Sequence, residues 1–234
     1  MKAVLTCFLI FFSSQCFSQQ ASYFDPAQAY NRLLIEKGAG TYTRVNNYKV
    51  TGTSYLYGEK NKGDIFSKTE KGLDVLLSYD TYTQNIYFFP SANATISFTK
   101  EPSSVDSFRI KKNSNINLEE DICFIYGAIL GSTDKCYYQE VFKGKKISLY
   151  KKYSAELGLV TTNILQSDLR QFNILVDYYY MDSTGKAIKK LKVSAKNIAK
   201  EFAAIKDLSS FINSDELTVN KEKELARIFE ELNK

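Results

Sequence analysis

The sequence contains no histidine and no tryptophan, and it has three prolines and four cysteines among 234 residues. Without histidine, Ser-His-Asp and Cys-His nucleophilic mechanisms lose their usual base. Most catalytic zinc and non-haem iron sites lose a ligand for the same reason. No glycine-rich loop resembles a phosphate cradle and no Asp-rich loop has calcium-site spacing. We therefore predict no cofactor and no metal site, and an enzyme would depend on carboxylate, Lys, Tyr or Ser chemistry.

The first 18 residues have the pattern of a secretory signal peptide. Lys2 supplies one positive charge, an apolar run of about ten residues follows, and Ser18 precedes the expected cleavage site. The run is shorter than the ~20 residues that span a bilayer as a helix. A lipid anchor on Cys16 is the alternative, although Gln15 is bulkier than the small residue that precedes such a site. We predict an exported protein, periplasmic or secreted, with no transmembrane helix.

Removal of these 18 residues leaves 216, and because Lys2 is the single charged residue removed, the net charge falls from +5 to +4. Such a mild excess requires no polyanionic partner, and nucleic acid is not expected. Cys123 and Cys136 are the cysteines that remain, and in an oxidising compartment they could form one disulfide. The turn residues at 131–134 do not lie midway between them, so a disulfide and two buried free thiols both stay open.

The body of the chain is predicted to be β-rich. Asp25 as N-cap and Pro26 at the first helical position begin a helix that ends at Gly38. From residue 41 to about 180, β-branched and aromatic residues dominate and turn residues recur between them. The predicted strands are 41–45, 48–56, 73–79, 85–89, 95–99, 107–111, 122–126, 136–142, 145–152, 175–181 and 187–193, with turns at 80–84, 143–144 and 182–186 and a short helix at 166–174.

After residue 193 the apolar residues recur at helical spacing. Ser194 caps one helix, Asp207 caps a shorter one that extends to Ile212, and Asn220 precedes a third. The sequence thus predicts an α+β fold, mainly antiparallel β as a sheet, sandwich or partial barrel, with an N-terminal helix and C-terminal helices. The predicted organisation is a signal peptide at 1–18, a helix plus β-rich domain at 19–193, and a helical tail at 194–234 packed on or beside it.

Neither of two catalytic patterns, S-x-x-K and a pair of carboxyl groups, identifies a catalytic residue. Ser148 and Lys151 match S-x-x-K, but that pattern needs a helix start, and in an alternating strand positions three apart point to opposite faces. A pair of carboxyl groups about 5–9 Å apart could hydrolyse a glycan without histidine. The acids at 119–121 and those flanking the tyrosines at 178–180 are candidates whose spacing along the chain does not identify a pair.

The densest basic-aromatic segment gives the predicted binding residues, Tyr150, Lys151, Lys152 and Tyr153. Such residues can stack on rings and neutralise anions. Export makes nucleic acid an improbable partner and favours envelope polyanions or glycans. The alternative is structural, with the tyrosines packed on the sheet and the lysines extending to water.

Three segments carry a resemblance. Residues 50–56 resemble a G-[ST]-P-Y-L strand, residues 77–88 resemble an L-x-Y-N-x-Y segment with a turn and a second strand, and residues 142–153 resemble a Gly-Lys hairpin with an L-Y-K tail. Together they are similar to small exported proteins of unknown function in Bacteroidetes-type bacteria. The chain departs from the pattern at Ser54, where Pro is frequent, and at Asp80, where Asn is frequent. The resemblance implies export and a β-rich body with terminal helices, and it supplies no catalytic residue.

These observations predict a non-catalytic binding or structural component of the cell envelope that acts through an aromatic β surface. The expected partner is another envelope protein or a glycan. The alternative is a carboxylate-based hydrolase acting on glycan.

Overall fold

The computed structural model describes residues 42–45, 48–160 and 169–234. The chain divides into two units, one of residues 1–52 and 159–171 and one of residues 53–158 and 172–234. The predicted signal peptide, the alternative lipid anchor and the helix at 25–38 lie outside the described residues. Among the described residues, no helix is long and apolar enough to cross a membrane.

The described residues are mainly β. Their strands are β1 (Tyr42–Val45), β2 (Tyr48–Thr51), β3 (Tyr55–Phe66), β4 (Lys71–Asp80), β5 (Asn85–Phe89), β6 (Phe98–Thr99), β7 (Ser107–Ile110), β8 (Ile122–Tyr126), β9 (Tyr137–Phe142), β10 (Ile147–Leu159), β11 (Leu169–Asp182) and β12 (Lys189–Leu191). Their helices are α1 (Ala195–Phe202), α2 (Ser214–Val219) and α3 (Lys221–Asn233), and 3-10 turns cover Pro102–Ser104, Ser114–Ile116 and Gly127–Leu130. The prediction of a mainly β chain with C-terminal helices is confirmed.

The smaller unit contains the one parallel strand pair among those described. β1 pairs antiparallel with β2, and the first residues of β11 run parallel to β2, with Leu169 opposite Lys49. The Thr51 hydroxyl donates a hydrogen bond to the carbonyl of Arg170 at 3.4 Å. The Arg170 guanidinium lies over the Tyr48 ring, 4.3 Å from its centroid. The sheet is therefore mixed.

In the larger unit the strand order is β12, β11, β10, β9, β8, β7, β3, β4, β5 and β6. This sheet curls, because β10 meets the turn after β4 although four strands separate them in the sheet. The Ala155 N–H donates to the carbonyl of Thr81 at 3.0 Å, and Gln84 Nε2 donates to the carbonyl of Tyr153 at 3.1 Å.

The curled sheet contains an aromatic cluster. Phe108 and Phe124 stack with ring centroids 4.6 Å apart, and Tyr79 and Tyr137 contact them edge-on or tilted. All four side chains are buried. Aromatic pairs of this kind stabilise by about 0.5–1.5 kcal/mol beyond the area that they bury. The tyrosines in strands thus belong largely to the core.

The C-terminal helices pack on β10 and β11 and share one hydrophobic cluster with them. Ser194 caps α1 as predicted, accepting a hydrogen bond from the Asn197 N–H. The apolar stripe of α3, which includes Leu225, Ile228 and Phe229, is fully buried. The helical tail is therefore part of the larger unit's core.

Two predicted helices are wrong where the structure describes them. Residues 169–174 of the segment 166–174 belong to β11, because their backbone joins the sheet, where residues 169–171 pair with β2. Residues 207–212 form turns, since the Asp207 carboxylate accepts a hydrogen bond from the Ser209 N–H at 2.9 Å and so closes a local turn rather than a helix N-terminus.

Several predicted strands also differ from the observed strands in extent. The strand predicted at 48–56 is interrupted at Gly52, which has a φ of +75°, and the strand predicted at 95–99 is reduced to Phe98–Thr99. β3 continues to Phe66 through a polar stretch with an irregular register between Leu56 and Asn61. Its lack of hydrophobic alternation explains why the sequence does not reveal it.

Cys123 and Cys136 are both free thiols. β8 and β9 pair with Phe124 opposite Gln139, which places Cys123 opposite Glu140, four residues from Cys136. At about 3.4 Å per residue that offset far exceeds the distance that a disulfide spans. The alternative of two thiols therefore describes this structure.

Candidate functional site

β10 places the four predicted binding residues alternately on its two faces, and none forms an exposed patch. Tyr150 and Tyr153 are buried. Lys152 Nζ contacts Asp134 Oδ2 at 2.7 Å. Burial lowers the pKa of the Lys152 ammonium, but the hydrogen bond and charge of Asp134 outweigh the effect of burial, so the pKa is raised.

Lys151 and Tyr153 belong to a buried polar cluster. Lys151 Nζ lies 2.5 Å from Glu222 Oε2 and 4.9 Å from the centroid of the Tyr153 ring. The Tyr153 hydroxyl donates to Gln139 Oε1 at 2.8 Å and lies 3.3 Å from the Tyr57 hydroxyl. Burial raises the pKa of Tyr153. These side chains bind one another and connect α3 to the sheet.

Ser148 and Lys151 have separate partners, as a strand requires. The Ser148 hydroxyl accepts a hydrogen bond from the Gly144 N–H at 3.1 Å, whereas Lys151 binds Glu222. The structure thus does not bring the S-x-x-K residues together.

Three of the five acids considered in the sequence are paired with cations. Asp121 lies 3.9 Å from Arg109, Asp177 lies 2.8 Å from Lys190, and Asp182 lies 3.4 Å from Lys189. Within the described ranges, no group of three or more His, Cys, Asp or Glu side chains could hold a metal ion.

A cavity of about 540 Å³ opens at one end of the sheet, where β3 turns into β4, β7 begins and β8 ends. We call it the Tyr126 cavity. Its lining consists of Ser67, Lys68, Thr69, Ser103, Ser104, Asp106, Tyr126, Ala128 and Ile129. Its volume lies in the range of small-molecule binding sites.

Backbone hydrogen bonds hold the walls of the Tyr126 cavity. The Asp106 N–H donates to the carbonyl of Phe66 at 2.9 Å, and the Tyr126 N–H donates to the carbonyl of Asp106 at 2.8 Å. The Ser67 N–H and hydroxyl both donate to the carbonyl of Glu70. The Ser104 N–H and hydroxyl both donate to the carbonyl of Glu101. The site is therefore built on strand ends and closed turns.

Tyr126 is fixed by its ring and has a free hydroxyl. The side chain is 8% exposed, and its ring packs against Tyr137 with centroids 5.3 Å apart. Tyr137 is in turn anchored by its hydroxyl, which donates to the carbonyl of Val105 at 3.1 Å. In the part of the chain that the structure describes, the Tyr126 hydroxyl has no hydrogen-bond partner. It is a preorganised polar group at the wall of the cavity.

Four further polar groups of the cavity are also without partners among the described residues. They are the carboxylate of Asp106, the ammonium of Lys68 and the hydroxyls of Thr69 and Ser103. Asp106 is half-buried and Lys68 is exposed. The cavity therefore offers both signs of charge, three free hydroxyls and an apolar wall formed by Ala128 and Ile129.

A larger groove of about 960 Å³ runs along α2 and α3, but its central charges bind one another. Arg227 contacts both carboxylate oxygens of Glu224, at 2.8 and 2.7 Å, and donates to the carbonyl of Phe211 at 2.6 Å. Arg227 also lowers the pKa of Glu224. The Asn213 N–H donates to Glu224 at 2.8 Å. This groove is thus a joint between structural elements, with its central polar groups satisfied.

The sequence carries a weak signal for the Tyr126 cavity. Ser67-Lys68-Thr69 and Ser103-Ser104 are turn-type segments rich in hydroxyl groups. The segments and Tyr126 lie far apart along the chain and form no motif, so only strand order brings them together.

Comparison with protein-family models, curated proteins and solved structures gives no match to this chain. Its function must therefore be inferred from the geometry of the site.

Proposed function

We propose that this chain is an exported, non-catalytic binding component of the cell envelope, and that the Tyr126 cavity is its binding site. The single observation that carries the proposal is the free hydroxyl of Tyr126, held at the cavity by a ring that is otherwise buried. A ligand group in the cavity can form a hydrogen bond with this hydroxyl, and such a bond contributes about 0.5–1.5 kcal/mol net.

Binding explains the cavity better than glycan hydrolysis does. A glycosidase needs two carboxyl groups flanking the bond that it breaks. Asp106 is the single acid among the described residues that line the cavity. A partner with exposed hydroxyl, amine or carboxylate groups, such as an envelope glycan or peptide, matches the free groups instead.

Export is part of the proposal. It is supported by the charge, apolar run and small residue in the first 18 positions. Fractionation of cells that express the chain, with mass measurement of the product, tests this point. A protein found in the envelope or medium and shortened near Ser18 supports it, and an unshortened cytoplasmic protein contradicts it.

Calorimetric titration of the purified chain tests the binding site, with enzymatic fragments of peptidoglycan and short oligosaccharides as probes. Saturable binding should weaken about tenfold in Asp106→Asn and severalfold in Tyr126→Phe, which removes one oxygen. Lys223→Ala, in the groove along α3, is the matched control and should bind normally. Equal binding by all four proteins would exclude the Tyr126 cavity as the site.

A further inference from the structure

We propose that the Tyr126 cavity takes a zwitterionic ligand of the amino-acid or short-peptide class, with its ammonium group at Asp106 and its carboxylate at Lys68. This inference rests on the proposed function and specifies the ligand. The cavity presents both signs of charge, and the side-chain polar groups of Lys68, Thr69, Ser103, Asp106 and Tyr126 have no partners among the described residues.

Asp106 is the first element of the site. Asp106 is a half-buried residue, and within the described part of the chain its carboxylate accepts no hydrogen bond and forms no ion pair. Other acids here show the contrast: Asp64 and Glu224, which are buried, each bind a cation and a backbone N–H. A carboxylate without an internal cation can form a charge-assisted hydrogen bond with a cationic ligand group, so such a group gains free energy there.

Hydroxyl groups complete the cradle for an ammonium group. An ammonium has three N–H donors and no acceptor. The oxygens of Tyr126 and Ser103 are free to accept two of these bonds, and Asp106 can accept the third. The three side chains belong to the β6–β7 connection and to β8, which backbone hydrogen bonds join at this end of the sheet.

Lys68 is the second charged element. It lies in the β3–β4 turn and forms no ion pair with Asp106 or with any other described acid. Two opposite charges therefore line one cavity without neutralising each other. Such a potential is complementary to a ligand that carries both charges, and it discriminates against ligands with a single charge.

The apolar wall favours amino-acid chemistry over a sugar. Ala128 and the exposed side chain of Ile129 face the cavity, whereas the ring of Tyr126 is buried against Tyr137. The lining thus offers an aliphatic surface for a ligand side chain. The described lining offers no free aromatic face for a sugar ring.

Calorimetry or amide NMR with small probes tests the inference. The probes are leucine, Leu-Ala dipeptide, N-acetyl-leucine, leucine methyl ester and lactose. Leucine or the dipeptide should bind, and which of them binds more tightly separates a free amino acid from a peptide with free termini. Acetylation of the amine should weaken binding at least about tenfold, because it removes the charge that faces Asp106.

Variants assign the two ends of the ligand. Asp106→Asn should reproduce the loss caused by acetylation. Lys68→Ala should weaken binding of leucine severalfold and leave the methyl ester unchanged, since the ester has no carboxylate. Lys223→Ala serves as the control, and the thermal midpoint of each variant verifies that it is folded.

The outcomes separate this inference from the proposed function. Equal binding of leucine and N-acetyl-leucine, or unchanged binding in Asp106→Asn, would overturn the inference. Binding of lactose or peptidoglycan fragments at the cavity without binding of the zwitterions would overturn it while leaving the proposed function intact. If neither the zwitterions nor the glycan probes bind at the cavity, both this inference and the proposed function are contradicted.

Discussion

The side-chain amide of Asn233 pairs with the backbone of Ile147 in the manner of a neighbouring strand. Its Nδ2 donates to the carbonyl of Ile147 at 2.9 Å, and its Oδ1 accepts from the Ile147 N–H at 3.3 Å. Oδ1 also accepts from the Lys146 N–H at 2.8 Å, and Nδ2 also donates to the carbonyl of Phe229 at 2.7 Å. One residue at the end of α3 thus fastens the helical tail to the start of β10.

Replacement of Asn233 by Ala should destabilise the chain by about 2–3 kcal/mol, because four hydrogen bonds at about 1 kcal/mol each are only partly replaced by water. Urea unfolding followed by circular dichroism measures the change. Lys234→Ala is the control, since it removes only an exposed ion pair with Glu231 and should leave stability nearly unchanged. Equal stability of Asn233→Ala and wild type would show that these bonds contribute nothing.

Gly144→Ala should also destabilise the chain, by about 1–3 kcal/mol. A Cβ at this position would lie 2.2 Å from the carbonyl oxygen of Ile147 and 2.3 Å from the amide of Asn233. Because part of the clash involves Asn233, Gly144→Ala should cost less when it is introduced into Asn233→Ala. A double-mutant cycle measures this coupling, and strict additivity would contradict the contact.

The ion pair between Lys151 and Glu222 should respond unequally to removal of its two members. The Lys151 side chain is 8% exposed, whereas that of Glu222 is 45% exposed. Glu222→Gln leaves a buried ammonium without a countercharge and should cost about 2 kcal/mol or more, whereas Lys151→Met leaves a carboxylate that water can reach and should cost less. Chemical denaturation of both variants measures their free energies of unfolding. A larger loss of stability in Lys151→Met than in Glu222→Gln would contradict this account.

Cys123 and Cys136 should react at different rates. Cys123 is half-buried, and Cys136 is buried, which raises the pKa of its thiol. Iodoacetamide should therefore alkylate Cys123 first in the native protein, and Cys136 only after unfolding, because the thiolate is the reactive form. Peptide mass spectrometry without reductant reads both sites, and a chain that takes up no label when denatured would mean that a disulfide is present.

Asp64 should make stability depend on pH in the acid range. Burial opposes its ionisation, but the Asp74 N–H and the Lys111 ammonium outweigh burial and lower the pKa of Asp64. A lowered folded-state pKa contributes stability that is complete above the unfolded-state pKa of about 4 and is lost as pH falls through the folded-state pKa.

Asp64→Asn should therefore cost about 1–2 kcal/mol near pH 6, and the difference from wild type should shrink below about pH 4. Thermal unfolding from pH 6 to pH 2.5 measures this. Asp207→Asn, at an exposed turn, is the comparison and should cost less at pH 6. A difference between Asp64→Asn and wild type that grows as pH falls would contradict the sign.

Local patterns in the sequence predict much of the β-rich body. Residues 85–89 and 122–126 consist mostly of β-branched and aromatic residues and form β5 and β8 with those bounds. Ser194 caps a helix because its side chain needs only the next turn of backbone as a partner. Such signals are short-range, and they hold wherever no distant contact opposes them.

The elements that local patterns miss depend on distant partners. Residues 169–174 favour a short helix by themselves, yet they extend as β11 because neighbouring strands satisfy their backbone groups. Asp207 closes a local turn instead of beginning a helix. The polar second half of β3 is likewise a strand because of its neighbours, since β4 and β7 supply its backbone hydrogen bonds.

The sequence by itself determined the absence of histidine chemistry, the alternation of Lys151 and Lys152 on β10, and the apolar stripe of α3. Tertiary structure alone decided which of these groups remain free. It turned the basic-aromatic segment inward, where Glu222 and Asp134 bind its lysines. It also brought Asp106 and Tyr126 to one cavity, where neither side chain has a hydrogen-bond or ion-pair partner among the described residues. The physical reason is that residue type sets what a side chain can bind, whereas strand order and register set which partners lie within reach.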